Sequence, residues 1–198
     1  MSANLASVRE GVNHILTNLS TNLESRAEGY FRRYAYPEWL RQHSRLVGRI
    51  ATLLAEQQGE AVEVEAVGLA GYLHDIGRSP LLAGDPREHN ELSALVLTAE
   101  GLGECAELAR RHPVYAVLDE ATTPRTPAER IVYYADRRGG MEILPMDERI
   151  SETAARHPRY AEGIERSRPR ARAIERALFD GMTLRPEDLA AAVAARWP

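Results

Sequence analysis

The chain has 198 residues, 44% apolar and 27% charged, with a formal net charge of −4. That composition belongs to an ordinary globular protein long enough to bury a substantial core, and the acidic balance argues against a general nucleic-acid binder. All 25 basic residues are arginine, which excludes a phosphate-binding P-loop and any Schiff base on a lysine of the chain.

The first twenty residues lack a basic stretch followed by a continuous apolar one, so no signal peptide is expected. No apolar run reaches the roughly 18 residues a membrane span needs. Cys105 is the only cysteine, which rules out an internal disulfide and fits a reducing compartment, with the cytoplasm as the expected location.

Apolar residues recur at helical spacing almost throughout, with no strand pattern, repeat or low-complexity block. From Glu38 to Gln57, Leu40, Val47, Ile50 and Leu54 form one stripe, and His43 lies on it. A second helix is predicted from about Val62 to Ile76, ending at Gly77. The third is predicted to start at "DPREHNE", with Asp85 as cap, Pro86 first and Glu88 closing a capping box, and to end at Gly101–Gly103. A short helix from Glu104 to His112 is closed by Pro113, and "PVYAVLDEATTPR" reads as a connection. Thr126, Pro127 and Glu129 repeat the capping grammar before "RIVYYAD", and Gly139 and Gly140 end that helix. A further helix is predicted near Asp147 to Arg156, and the remainder is helical, with Pro169 expected to kink or interrupt it. The predicted class is all-α.

Within these helices the ionisable residues are placed unusually. His43, His74, His89 and His112 all sit on inward-facing positions, Asp75 adjoins His74, and Asp136 ends "IVYYAD". An unpaired buried carboxylate is costly, and no lysine is available to neutralise one. One or two divalent metal ions would satisfy all six groups, since neutral imidazole and carboxylate are standard ligands.

The ordered set His43, His74-Asp75 in "HDIG", His89, His112 and Asp136 in "YYAD" resembles the HD-domain superfamily of metal-dependent phosphohydrolases. The resemblance includes "HSRLVGRIA", "HNELSALV", "ARRHP" and the tail "MEILPMDERI". It implies a helical bundle in one domain over 1–198. The HD core would span about 38–149, with helical extensions at 1–37 and 150–198. Carried over by position, His43, His74, Asp75 and Asp136 are the implied ligands of a first metal. His89 and His112 match the extra histidines of two-metal members, with Asp75 bridging. Nitrogen and oxygen ligands suit iron, manganese, cobalt or zinc.

The implied function is hydrolysis of a phosphate ester or anhydride of a small molecule, a nucleotide or related phosphorylated metabolite, by a metal-held hydroxide. Asp75 and Arg78 would be catalytic, and Arg78, Arg137 and Arg138 would bind substrate phosphate. A segment typical of cyclic-dinucleotide members is missing after the second histidine pair, and the segment after His112 does not closely match the dinucleoside-tetraphosphate hydrolases. The same ligand set is also found in mixed-valent di-iron oxygenases of this superfamily, and an inactive HD-fold binding module is a third reading.

The arginine-rich run from Arg156 to Arg176 is broken by Glu162, Glu165 and Glu175 and reads as a solvated helix face, not an RNA-binding surface. Trp39 is expected in the core or at the site mouth, and Trp197 is expected to dock the last helix. Tyr133 and Tyr134 are expected in the core, though either could reach a substrate. His14 and His157 match no position of the family and read as surface histidines.

Overall fold

The computed structural model describes residues 22–198, so His14 and the start of the N-terminal extension lie outside the described residues. Among the described residues the chain is all helix and turn, with one isolated antiparallel bridge between Gly139 and Ile143. Helix α1 covers 22–33 and buries Leu23, Ala27 and Phe31, spaced one turn apart. Its polar side reaches α2 (Glu38–Gln58) through Glu24–Arg49 and Glu28–Arg45 ion pairs. The extension thus adds a helix to the bundle.

Helix α3 (Val64–Leu73) lies along α2. Two glycines let the backbones approach. A Cβ on Gly48 would fall 2.2 Å from the Tyr72 ring, and one on Gly71 would fall 2.6 Å from Ala51 Cβ. The predicted stripe on α2 is buried, His43 included.

The predicted second helix stops sooner than its pattern suggests. His74 and Asp75 leave α3 in a turn, and a 3-10 turn, Ile76–Arg78, follows. The cause is a tertiary bond: the Gly77 N–H donates to Ser93 Oγ at 2.9 Å, on α4 (His89–Ala99). The start of α4 is also later than predicted. Asp85 does not cap it, because its carboxylate accepts from the Arg87 backbone N–H and pairs with the Arg87 guanidinium. Glu88 is extended, and the helix begins at His89.

After α5 (Gly103–Arg110), His112 sits in the turn that leads to the 3-10 segment Val114–Leu118. Helix α6 (Pro127–Asp136) carries the predicted capping box: Glu129 N–H donates to Thr126 Oγ1 at 3.2 Å, and Thr126 N–H to Glu129 Oε2 at 3.0 Å. Helices α7 (Met146–Arg156) and α8 (Ala161–Phe179) pack together, with Asp147 holding Arg168 and Arg172.

Pro169 does not interrupt α8. Its missing N–H frees the Glu165 carbonyl, and both residues are exposed, so water can take the lost bond. Helix α9 (Leu189–Arg196) returns to α2, where Arg196 pairs with Glu56. Trp197, partly buried, packs on the core beside Arg49. No helix of the described residues is long and apolar enough to cross a membrane.

Candidate metal centre

Five elements deliver the six predicted ligands. His43 comes from the middle of α2, the His74-Asp75 pair from the turn after α3, and His89 from the first residue of α4. His112 follows α5, and Asp136 ends α6. The structure brings all six together. His43 Nε2 lies 3.1 Å from His74 Nε2 and 3.4 Å from Asp136 Oδ1. On the other side, His89 Nε2 lies 3.2 Å from His112 Nε2.

The Asp75 carboxylate stands between the two halves. Its Oδ2 is 3.7 Å from both His43 Nε2 and His74 Nε2. Its Oδ1 is 3.4 Å from His89 Nε2 and 3.3 Å from His112 Nε2. Each oxygen faces one pair of imidazoles.

Buried charge is not what calls for a metal here. Arginines take the place of the absent lysines: Arg78 Nε is 2.8 Å from Asp75 Oδ2, and Arg137 pairs with Asp136. Burial pushes both carboxyls toward the neutral form, but Arg78 beside Asp75 and Arg137 beside Asp136, with the histidines, hold them well below the usual carboxylate range.

The stronger signal is a shortage of protons. His74 Nδ1 donates to Gly71 O at 2.8 Å, and His112 Nδ1 donates to Ala109 O. Carbonyls only accept, so both Nε2 atoms carry lone pairs in the neutral rings. Arg78 Nη2 donates to His89 Nε2 at 3.0 Å, which makes that atom an acceptor too. Asp75 Oδ1 is buried with no hydrogen-bond partner. His112 Nε2 and Asp75 Oδ1 are therefore two acceptors 3.3 Å apart with no proton between them, and His89 Nε2, at 3.2 and 3.4 Å from them, is a third whose lone pair Arg78 takes. A cation resolves this, and such spacings are edges of a coordination shell with bonds of about 2.0–2.2 Å.

The residues fit a divalent ion, and two groups meet the geometry for one: His43, His74 and Asp136, and His74, Asp75 and His112. Burial keeps His43, His74 and His89 neutral and ready to ligate. It lowers His43, brings His74 to about 4 and His89 to about 3.

Two lobes open from the cluster. The larger, about 470 Å³, is lined by Arg78, Glu88, His89, Arg137 and an apolar wall that includes Val114, Tyr115, Tyr160 and Ile164. The smaller, about 230 Å³, has Trp39 and Met141 at its edge and gathers Arg78, Arg137, Arg149 and Arg156. Trp39 is half exposed, at the mouth and not in the core.

Arg78 and Arg137, the arginines expected to bind substrate phosphate, line both lobes. Arg138 does not reach either of them. Its guanidinium is buried and donates to the carbonyls of Leu144 and Pro186 and to the Tyr134 hydroxyl, so it ties the α6 end to the C-terminal segment. Tyr133 and Tyr134 are fully buried.

The sequence reading missed the contribution of the C-terminal extension. Thr153 and His157 line both lobes, Arg156 the smaller beside Arg149 at the end of the predicted core, and Tyr160 and Ile164 the larger. His157, taken for a plain surface residue, is exposed but faces the site. The available signal was the spacing of Arg149, Thr153 and Arg156 along one face of a single helix, with His157 the next residue.

An all-α bundle that gathers four imidazoles, three of them buried, and two buried carboxylates has the groups that could hold a divalent metal. The HD domain family model matches residues 40–141, just over half of the chain, and the chain belongs to that family of metal-dependent phosphohydrolases. The matched span lies inside the 38–149 region predicted as the core. No curated protein and no solved structure matches the chain.

Proposed function

We propose that this protein hydrolyses a phosphate ester or anhydride of a small molecule of the nucleotide type, with His43, His74, Asp75 and Asp136 holding a first divalent ion. Asp75, His89 and His112 hold a second. The observation that carries this reading is the Asp75 carboxylate, whose two oxygens each face one imidazole pair at 3.3–3.7 Å, one of them with no proton donor of its own. When bound, such ions lower the pKa of a held water toward neutrality and polarise the phosphoryl oxygens.

The rest falls to the chain's own groups. Arg137, fixed by Asp136 and by the His112 carbonyl at 3.5 Å, presents a rigid guanidinium edge to the cavity. Its planar fork suits two oxygens of one phosphoryl group. Arg78 is less enclosed, with its side chain 38% exposed, and can turn from Asp75 toward an incoming phosphate. Burial of His74, Asp75 and Asp136 keeps bulk water from the reacting atoms and strengthens every charge interaction there. The cytoplasm remains the compartment this chemistry and the single buried cysteine favour.

The test is phosphate release from a panel of phosphomonoesters and anhydrides by protein loaded with manganese, iron, cobalt or zinc, in air and without oxygen. Turnover in both atmospheres, lost in Asp75→Asn, is the expected result. Oxygen consumption by iron-loaded protein without phosphate release from the panel would replace the hydrolase with an oxygenase.

A further inference from the structure

Among the described residues, six large apolar side chains are left exposed: Trp39, Leu81, Leu95, Tyr115, Met141 and Tyr160. Singly, such residues need no explanation. Four of the six, however, line the two lobes beside the metal centre. Clustering of exposed apolar surface at one concave place marks a binding surface.

The larger lobe has the more specific chemistry. Tyr115 and Tyr160 are 43% and 56% exposed and come from different elements, the 3-10 segment Val114–Leu118 and the turn Pro158–Tyr160. Pro113, Val114 and Ile164 complete an apolar wall. Its polar groups are Arg78, Arg137, His89, His112 and Asp136 of the cluster, Thr153 and His157 from the end of α7, and one further acid, Glu88, while the Arg159 guanidinium lies 5.6 Å from the Tyr160 ring centroid. Burial, then the charge of Glu88, raises the Tyr115 hydroxyl, with Arg78 opposing, so this phenol sits among the polar groups while its ring joins the wall. A chain of further phosphates would find no arginine among the lining residues beyond Arg78 and Arg137, and would meet Glu88 and apolar carbon beside His157 and Thr153. A flat ring with N–H donors would meet two aromatic side chains and one carboxylate acceptor.

We propose that the larger lobe is a ring-recognition site, in which Tyr115 and Tyr160 hold the base of a nucleoside monophosphate and Glu88 accepts a hydrogen bond from it. The phosphate then lies at Asp75, Arg78 and Arg137. This orientation rests on the phosphohydrolase reading above; the ring site itself does not. Stacking on aromatic side chains is tolerant of base identity, because every base has a π face. The lobe therefore distinguishes ring from no ring more sharply than one base from another.

The test is equilibrium binding to the metal-loaded full chain, by calorimetry, of adenosine 5′-monophosphate, glycerol 3-phosphate, phenyl phosphate, inorganic phosphate and adenosine. The nucleotide should bind at least about tenfold more tightly than glycerol 3-phosphate, the ring supplying the difference. That ratio should fall toward one in Tyr115→Ala and Tyr160→Ala, and in Tyr160→Leu, which keeps apolar bulk and removes only the flat face. Phenyl phosphate binding as tightly as the nucleotide would overturn the role of Glu88 and make aryl esters the class. Equal affinity for the nucleotide and glycerol 3-phosphate in the native chain would overturn the proposal, as would a ring preference that survives both tyrosine substitutions. Inorganic phosphate that fails to bind would instead count against the phosphohydrolase reading. Adenosine binding lost in the tyrosine variants would then still support the ring site, and no adenosine binding would remove it.

Discussion

Gly77→Ala tests how the fold places the second half of the metal centre. A Cβ at this position would lie 2.0 Å from the His89 carbonyl oxygen, 2.8 Å from Ser93 N and 2.9 Å from Leu92 Cβ. All three belong to α4, and two are backbone atoms that no rotamer change can move aside. Carbon-to-oxygen contacts settle at about 3.3–3.6 Å, so the start of α4 must retreat by at least about 1 Å. The retreat strains the packing, at about 1–3 kcal/mol, and stretches the bond from Gly77 N–H to Ser93 Oγ, at about 1 kcal/mol.

The expected loss is about 2–4 kcal/mol, read as a lower urea midpoint at unchanged slope. His89 is the first residue of the displaced helix, and metal ligands tolerate only about 0.2 Å of misplacement. Elemental analysis should therefore find the second ion lost while the ion at His43, His74 and Asp136 is kept. Gly84→Ala is the control, since its φ of 97° strains an alanine but nothing lies within 4 Å of the added carbon. It should cost about 1–2 kcal/mol and leave the metal content unchanged. A Gly77→Ala protein with the native midpoint and full metal content would refute the packing argument.

Three other outcomes follow from single groups. Chelator-treated protein should lose thermal stability between pH 7 and pH 5.5. Burial holds His43, His74 and His89 below their ordinary value, so the unfolded chain binds more protons in this range and stability falls with acid by up to about 1.4 kcal/mol per pH unit per histidine. The depressed Asp75 and Asp136 extend the same trend below about pH 4, and a flat midpoint from pH 7 to 5.5 would contradict it. Burial pushes the Cys105 thiol up to about 12, so reaction with a disulfide reagent at pH 8 should be at least tens of times slower than for an unfolded control, and a comparable rate would show the thiol is accessible. Arg138→Ala should destabilise the protein by about 3 kcal/mol through its lost buried bonds while KM stays native, and a raised KM in a stable variant would return Arg138 to the site.

The ligand order was legible in the sequence because helical periodicity alone puts His43, His89 and Asp136 on apolar faces. The motif "HDIG" supplies His74 and Asp75, and the apolar spacing of Cys105, Leu108 and Ala109 marks His112. Its geometry was not legible: periodicity carries the helix on to Ile76, whereas Gly77 gives its N–H to Ser93 and breaks the ladder. The Asp85 cap failed for a similar reason, since Arg87, two residues on, takes the carboxylate first. Counting lysines led to the inference that Asp75 and Asp136 lacked counterions, and Arg78 and Arg137 supply them. The walls of the cavity were least legible. Tyr115 and Tyr160 are separated by the whole of α6 and α7, and the packing of α8 on the 3-10 segment that carries Tyr115 brings them to one lobe.

The measurement that bears most directly on the whole account is the number of metal ions per chain. It requires protein purified without chelator and without a histidine tag, before and after reconstitution. About two divalent ions per native chain, falling to one in His89→Ala or His112→Ala and to none in Asp75→Ala, is the predicted result. A chain that binds no iron, manganese, cobalt or zinc under any of these conditions would contradict it, and the acceptor cluster around Asp75 would need another explanation.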